Sequence, residues 1–296
     1  MNYRPFFFIP LLFIFFSCQK KNVQTYLDLK DLNWKLSSSD TSITAQNIDP
    51  SDVHLALYNA RIIPDPFFSD NEKELQWVGQ QAWRLETSFD LDQAILSYEN
   101  IEMVFNGLDT YADVTLNDSL LLSANNMFRT WRVNVADLLK EDGNNLSIFF
   151  YPAEEKNEKA QANLDYQLPD NRSFTRKAAY QFGWDWGPKF VTSGIWRTAY
   201  LKAWNGAVIR DVYTRLSEIS DDTAYVTFEV CLESSIEKEY KTQIFINNEL
   251  HSEIRTQLTN GVNKQKVYVQ IPKPKLWWPV GYGEQNLYQI QVNLLD

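Results

Sequence analysis

The chain has 296 residues, a formal net charge of −10, two cysteines, two histidines and an aromatic content of 15%. That charge argues against a nucleic-acid partner held through its phosphates. His54 and His251 are far apart and lack cysteine or carboxylate companions at ligand spacing, which argues against a zinc site, and no cofactor is implied. The length suffices for two ordinary domains or one large β-domain.

At the N-terminus, Arg4 precedes an apolar core from Pro5 to Phe16, too short to cross a bilayer as a stable helix. Ser17-Cys18 closes it, and Gln19-Lys20-Lys21 turns polar. This order resembles a bacterial lipoprotein signal: residues 1–17 would be removed, Cys18 lipidated, and residues 18–26 would act as a linker. Phe15 and Phe16 depart from the usual Leu and small residue before the cut, and an ordinary secretory signal with an incidental cysteine is the alternative. Either way the mature chain is expected outside the cytoplasm, in the periplasm or at the outer membrane, touching a membrane only through a lipid anchor. The lack of an acidic run after Cys18 favours the periplasmic face. With Cys18 lipidated, Cys231 has no disulfide partner. It sits in the strand-like run Tyr225–Leu232, where a small buried apolar role is expected, and no histidine nearby would activate its thiol.

Beyond the leader, period-two alternation dominates and predicts half-buried strands. Trp83, Leu85, Thr87, Phe89 and Leu91 share one face; Ile101, Met103 and Phe105 share another. Ala112, Val114 and Leu116 run into the turn Asn117-Asp118. Trp131–Val135 and, after the turn 142–145, Leu146–Phe150 continue the pattern. Only a short turn over Val135–Lys140 and a loop helix over Glu154–Asn163 interrupt it. No strand–helix alternation is present, so neither a (β/α)₈ barrel nor a doubly wound sheet is encoded. The fold class is all-β. Ile195–Ala203 reads as the closing strand of a first domain, and a seam falls at Trp204-Asn205-Gly206. About five strands follow: Val208–Arg215, Thr223–Leu232, Lys241–Ile246, Gln265–Ile271 and Asn286–Leu294. An immunoglobulin-like sandwich has about seven, so this domain is expected to lack its last strand and to carry an open edge.

The run Gln181-Phe182-Gly183-Trp184-Asp185-Trp186-Gly187-Pro188 cannot be regular strand or helix, because two glycines relax the backbone and the proline removes a donor. It reads as a shaped loop holding Trp184, Asp185 and Trp186 in fixed directions. A carboxylate between indoles suits a sugar, whose hydroxyls donate to the oxygens while the rings cover its C–H face. A tryptophan corner packed on its own sandwich, with Asp185 capping backbone amides, is the competing interpretation.

Several phrases in order now resemble a known family. They are Ile63-Pro64-Asp65-Pro66-Phe67-Phe68 with Asn71-Glu72; Leu75–Val78 with Trp83; Gly107–Asn117; Asn126–Arg129; Arg176-Lys177; Phe182–Pro188; Gly194–Arg197; and Leu276-Trp277-Trp278-Pro279 with Gly281 and Leu287-Tyr288. Together they are similar to the non-catalytic N-terminal part of the β-mannosidases of glycoside hydrolase family 2. The resemblance implies a jelly-roll, galactose-binding-like domain over 27–204, an incomplete immunoglobulin-like sandwich over 205–296, and a (β/α)₈ barrel absent from these residues.

In that family two barrel glutamates, about 5–5.5 Å apart, cleave the glycosidic bond with retention. Neither carries over. Asn71-Glu72 and Asn248-Glu249 repeat the Asn-Glu pair of the acid/base only superficially, since both are expected in loops of β-domains. Glu72 is expected to fix the loop containing Pro64-Asp65-Pro66, and Asp65 and Asp109 to serve turns and packing. What carries over is Trp184, Asp185 and Trp186 as contacts to the non-reducing sugar, with Arg176 expected either to anchor Asp185 as an ion pair, the favoured role, or to touch the substrate. Where the family has a Pro-Gly turn before the His of an early strand, this chain has Asp49–His54, so His54 is expected to pack or to hydrogen-bond.

The resemblance thus implies the substrate-recognition end of an exported exo-β-mannosidase acting on mannose-containing oligosaccharides. A stand-alone carbohydrate-binding lipoprotein and a structural spacer are the alternatives, and the spacer leaves Asp185 without a purpose.

Overall fold

The computed structural model describes residues 23–296. The expected signal segment and the lipidation site Cys18 lie outside them. The first domain contributes β1 (Val23–Asp28), β2 (Trp34–Ser38), β3 (Thr44–Ile48), β4 (Trp83–Phe89) and β5 (Asn100–Phe105). These are followed by β6 (Tyr111–Leu116), β7 (Ser119–Asn125), β8 (Trp131–Asn134), β9 (Asn144–Tyr151) and β10 (Ala199–Trp204). They form two antiparallel sheets, β1-β10-β5-β8 and β3-β2-β4-β9-β6-β7. Strand β1 pairs Val23 with Trp204, so residues 23–26, expected as linker, already belong to the first sheet.

The alternation places one face of each strand inward, as sheet-on-sheet packing requires. Across the larger sheet one row runs Leu36, Leu85, Ile148, Val114, Leu122 in register. Trp34, Trp83, Phe105 and Phe150 are fully buried in the same core. The predicted turn at Asn117-Asp118 joins β6 to β7 with both residues at positive φ, 47° and 65°, which matches a two-residue hairpin.

Three short helices precede β4: α1 (Val53–Asn59), α2 (Asn71–Glu74) and α3 (Trp77–Gln80). In α1, Asp52 caps the N-terminus by accepting from the Leu55 amide at 2.9 Å. His54 therefore sits on a helix, not on a strand. Two more helices follow, α4 (Gln93–Leu96) and the expected loop helix α5 (Ala153–Gln161). The closing strand is shorter than expected: β10 starts at Ala199, and residues 195–198 are irregular.

The second domain holds six strands where five were expected: β11 (Ala207–Ile219), β12 (Thr223–Ser234), β13 (Lys238–Ile246), β14 (Glu249–Leu258), β15 (Gly261–Pro272) and β16 (Ile290–Leu295). The missed strand is β14, whose largely polar residues, half of them exposed, give little apolar alternation. Sheets β11-β12-β15 and β14-β13-β16 enclose a core around Phe228, Leu232, Ile244 and Leu258. Cys231 lies between the buried Val230 and Leu232 and is half-buried, not interior as expected. Between β15 and β16 the Trp277-Trp278 segment forms a loop with both indoles about half exposed.

The domains are joined by charge. The Arg210 guanidinium reaches both carboxylate oxygens of Glu102 on β5 and, through Nε at 2.8 Å, Glu233. This bidentate fork fixes orientation as well as attraction. Glu99 accepts from the Gly206 amide and from Ser235 Oγ, tying the seam from the other side.

Candidate functional site

The Trp-Asp-Trp run forms the predicted shaped loop. Ala179–Phe182 makes one 3₁₀ turn, which Gly183 ends at φ 98°, where a side chain would be strained. The chain then reverses tightly, with the Gly187 amide donating to the Trp184 carbonyl at 3.3 Å. The two indoles meet edge to face, 5.8 Å between centroids, and Arg172 stands 6.0 Å from the Trp184 ring. Trp186 is 83% exposed, and Asp185 is exposed with no hydrogen bond or ion pair to any described residue. A corner with Asp185 capping amides is thereby ruled out for this conformation.

The loop is anchored beyond its tip. The Lys189 amide donates to Glu72 Oε1 at 2.6 Å, its carbonyl accepts from Gln76 Nε2 at 2.9 Å, and its ammonium pairs with Glu154 at 2.5 Å. Glu72, at the start of α2, thus holds the Trp-Asp-Trp loop directly through its carboxylate. Asp65 accepts from the Phe67 amide at 2.9 Å and serves a turn. Asn248, at φ 69°, belongs to the hairpin turn into β14, which Glu249 begins.

Arg176 does not support Asp185. Its side chain is exposed and forms no ion pair among the described residues, while its backbone pairs with Asn126 and Met127. Its neighbour Lys177 takes the interior position and pairs with Asp109 at 2.6 Å, both side chains essentially without solvent contact. Among the described residues no cluster of three metal-ligating side chains occurs, and no helix is long and apolar enough to cross a membrane.

Two clefts flank the loop. One of about 360 Å³ is lined by Asp185, Trp186, Glu72, Ser69 and Phe67. The other, about 380 Å³, is lined by Trp184, Tyr180, Gln181, Phe67, Phe190 and Thr192. Gln181 Oε1 and Thr192 Oγ1 are buried at this second cleft without a partner in the protein, so both retain hydrogen-bonding capacity. Behind Phe67 and Phe190 lies His54, 6% exposed and edge-on to Phe190 at 5.2 Å. Burial holds its imidazole below the ordinary histidine range, against the pull of Asp52, so it packs as a neutral ring. Sequence reasoning missed Tyr180 and Phe190; their aromatic type next to the loop was the available signal.

The site therefore combines a free carboxylate, two indoles, further aromatic walls and unsatisfied polar atoms on an anchored loop. Residues 34–197 match the family model described as glycosyl hydrolase 2 galactose-binding domain-like, and residues 207–296 match glycosyl hydrolases family 2. The chain is 32% identical over 279 residues to β-mannosidase B of Thermothelomyces thermophilus, covering 90% of this chain and 32% of that protein. β-Mannosidase of Bos taurus is 29% identical over 288 residues, covering 88% and 32%. The crystal structure of a β-D-mannosidase from Dictyoglomus thermophilum superimposes with a TM-score of 0.86 at 34% identity, covering 93% of this chain and 34% of that one. The chain thus spans about a third of the length of the relatives it matches.

Proposed function

The chain belongs to glycoside hydrolase family 2, and from that premise we propose that it is the substrate-recognition part of an exported exo-β-mannosidase acting on mannose-containing oligosaccharides. The observation that carries this is Asp185: an unpaired, exposed carboxylate between two indoles, on a loop held from Lys189. An ionised carboxylate accepts two or more hydrogen bonds from adjacent sugar hydroxyls, each worth about 1.5–3 kcal/mol when a charge takes part. Trp184 and Trp186 cover the ring's apolar face. Such contacts, remote from the cleaved bond, supply orientation that a catalytic domain can use at the transition state.

Bond cleavage itself falls to a carboxylate pair outside residues 23–296. Glu72, the other carboxylate lining the Asp185 cleft, accepts from the Lys189 amide and holds the loop. Residues 23–296 alone are therefore expected to release no sugar and to bind mannose only weakly. Export rests on the apolar core ahead of Cys18, and Cys18→Ser is expected to move the protein from the membrane to the soluble fraction.

The test is to assay the full-length protein on nitrophenyl β-mannoside, β-glucosaminide and β-galactoside. Highest kcat/KM on the mannoside, with stepwise release of mannose from oligosaccharides, is expected. Preference for another sugar would overturn the substrate, and internal cleavage would overturn the exo mode.

A further inference from the structure

Beneath the Trp-Asp-Trp loop a lysine and an aspartate have been taken out of water together, with side-chain exposures of 0% and 2% for Lys177 and Asp109. Lys177 Nζ donates to Asp109 Oδ1 at 2.6 Å and to the Thr192 carbonyl at 2.7 Å. The second carboxylate oxygen of Asp109 accepts from Gln181 Nε2 at 3.1 Å, and Thr110 Oγ1 donates to the first. The Asp109 backbone exchanges two hydrogen bonds with Gly194, at 2.9 and 3.1 Å. Gln181 precedes the Trp184–Trp186 tip and Thr192 follows it, so one buried pair grips both roots of the loop.

Stability alone gives little reason for such a pair, since desolvating two charges consumes most of what their attraction returns, and apolar replacements of similar shape are often as stable. Lys177 bears the mark of that cost: burial pulls its ammonium below the usual lysine range in spite of Asp109 beside it. The unequal partners point the same way. Polar side-chain atoms on His54, Gln181 and Thr192 are left without partners in this part of the molecule, whereas Lys177 Nζ makes two hydrogen bonds and each Asp109 carboxylate oxygen accepts at least one.

We propose that Lys177 is a positioning residue: with Asp109 it clamps the two roots of the loop and so sets where the Asp185 carboxylate meets the sugar. The clamp rests on the assignment of Asp185 as a sugar contact, since a misplacement of about 1 Å away from the chemistry can cost about 10²-fold in rate.

The experiment uses the full-length protein with nitrophenyl β-mannoside, and follows melting temperature, kcat/KM and amide exchange over residues 183–191. Lys177→Met alone strands the Asp109 charge and is expected to lower the melting temperature. Lys177→Met/Asp109→Asn removes both charges and is expected to recover most of it. In that double variant kcat/KM stays at least about tenfold down, exchange over the loop is faster, and adding Asp185→Ala costs far less than it does in the wild type. Recovery of kcat/KM together with the melting temperature would make the pair merely structural and overturn the proposal. If Asp185→Ala alone has no effect, the sugar-contact assignment fails by itself. Exchange then decides the clamp: faster exchange in the double variant upholds its grip on the loop, and unchanged exchange refutes it.

Discussion

The base and the tip of one loop are built on opposite principles. At the base, Lys177 and Asp109 are buried, paired with each other and hydrogen-bonded to Thr110, Gln181 and the Thr192 carbonyl. At the tip, Asp185 is exposed and unpaired, and Trp186 presents most of its ring to solvent. A fold that only minimised its own free energy would cover the indoles and leave the ions in water. The inversion is what a binding site requires: rigidity from below and unsatisfied chemistry above.

The sharpest way to break this contrast is to remove one carboxylate at each level. Asp109→Ala leaves the Lys177 ammonium buried without its partner and is expected to cost about 3–5 kcal/mol in denaturant unfolding. Asp185→Ala removes an exposed side chain with no hydrogen bond or ion pair among the described residues and is expected to stay within about 0.5 kcal/mol of wild type. Equal losses for the two variants would erase the distinction between base and tip.

Gly194→Ala tests the base through the backbone. An added Cβ would stand 2.3 Å from the Ser51 carbonyl oxygen, a main-chain atom with little room to yield. About 1–3 kcal/mol of destabilisation is expected from this overpacking, and an unchanged unfolding midpoint would show that the backbone packing of Gly194 against Ser51 is slack. Glu72→Gln weakens the charge-assisted bond to the Lys189 amide. Its expected cost is about 1 kcal/mol, accompanied by a loss of sugar affinity that exceeds the loss of stability. Trp186→Ala is expected to cost folding little, since it forfeits only the edge-to-face contact with Trp184, worth about 0.5–1.5 kcal/mol at most. Calorimetric titration with a mannose-configured ligand should nevertheless register a clear drop in affinity.

How much of this was legible in the sequence depended on whether the signal was local. Trp83, Leu85, Thr87 and Phe89 alternate and form β4 with those four residues inward, because period two is a property of the strand itself. The loop was equally readable, since Gly183, Gly187 and Pro188 act on their own backbone. Strand β14 escaped because its neighbours on both faces are largely solvent, leaving Ile254 and Leu258 as its few apolar anchors. Helix α1 escaped because seven residues give barely two turns of periodicity, although Asp52 ahead of Val53 was a usable cap.

The error at Arg176 has a different origin. Thr175 and Lys177 are buried on either side of the exposed Arg176, so an extended alternation decides which cation enters the protein. Its destination is Asp109, 68 residues earlier in the chain. No local pattern reports a pairing at that separation. The family resemblance supplied the order of the phrases, and only the packed structure could supply the partner.

The central claim is that Asp185 meets the sugar, and kcat/KM of full-length Asp185→Ala on nitrophenyl β-mannoside, taken together with its melting temperature, tests it most directly. The expected result is a loss of roughly 10²-fold or more at an unchanged melting temperature, from the removal of two charge-assisted hydrogen bonds. A kcat/KM equal to that of the wild type would contradict the account.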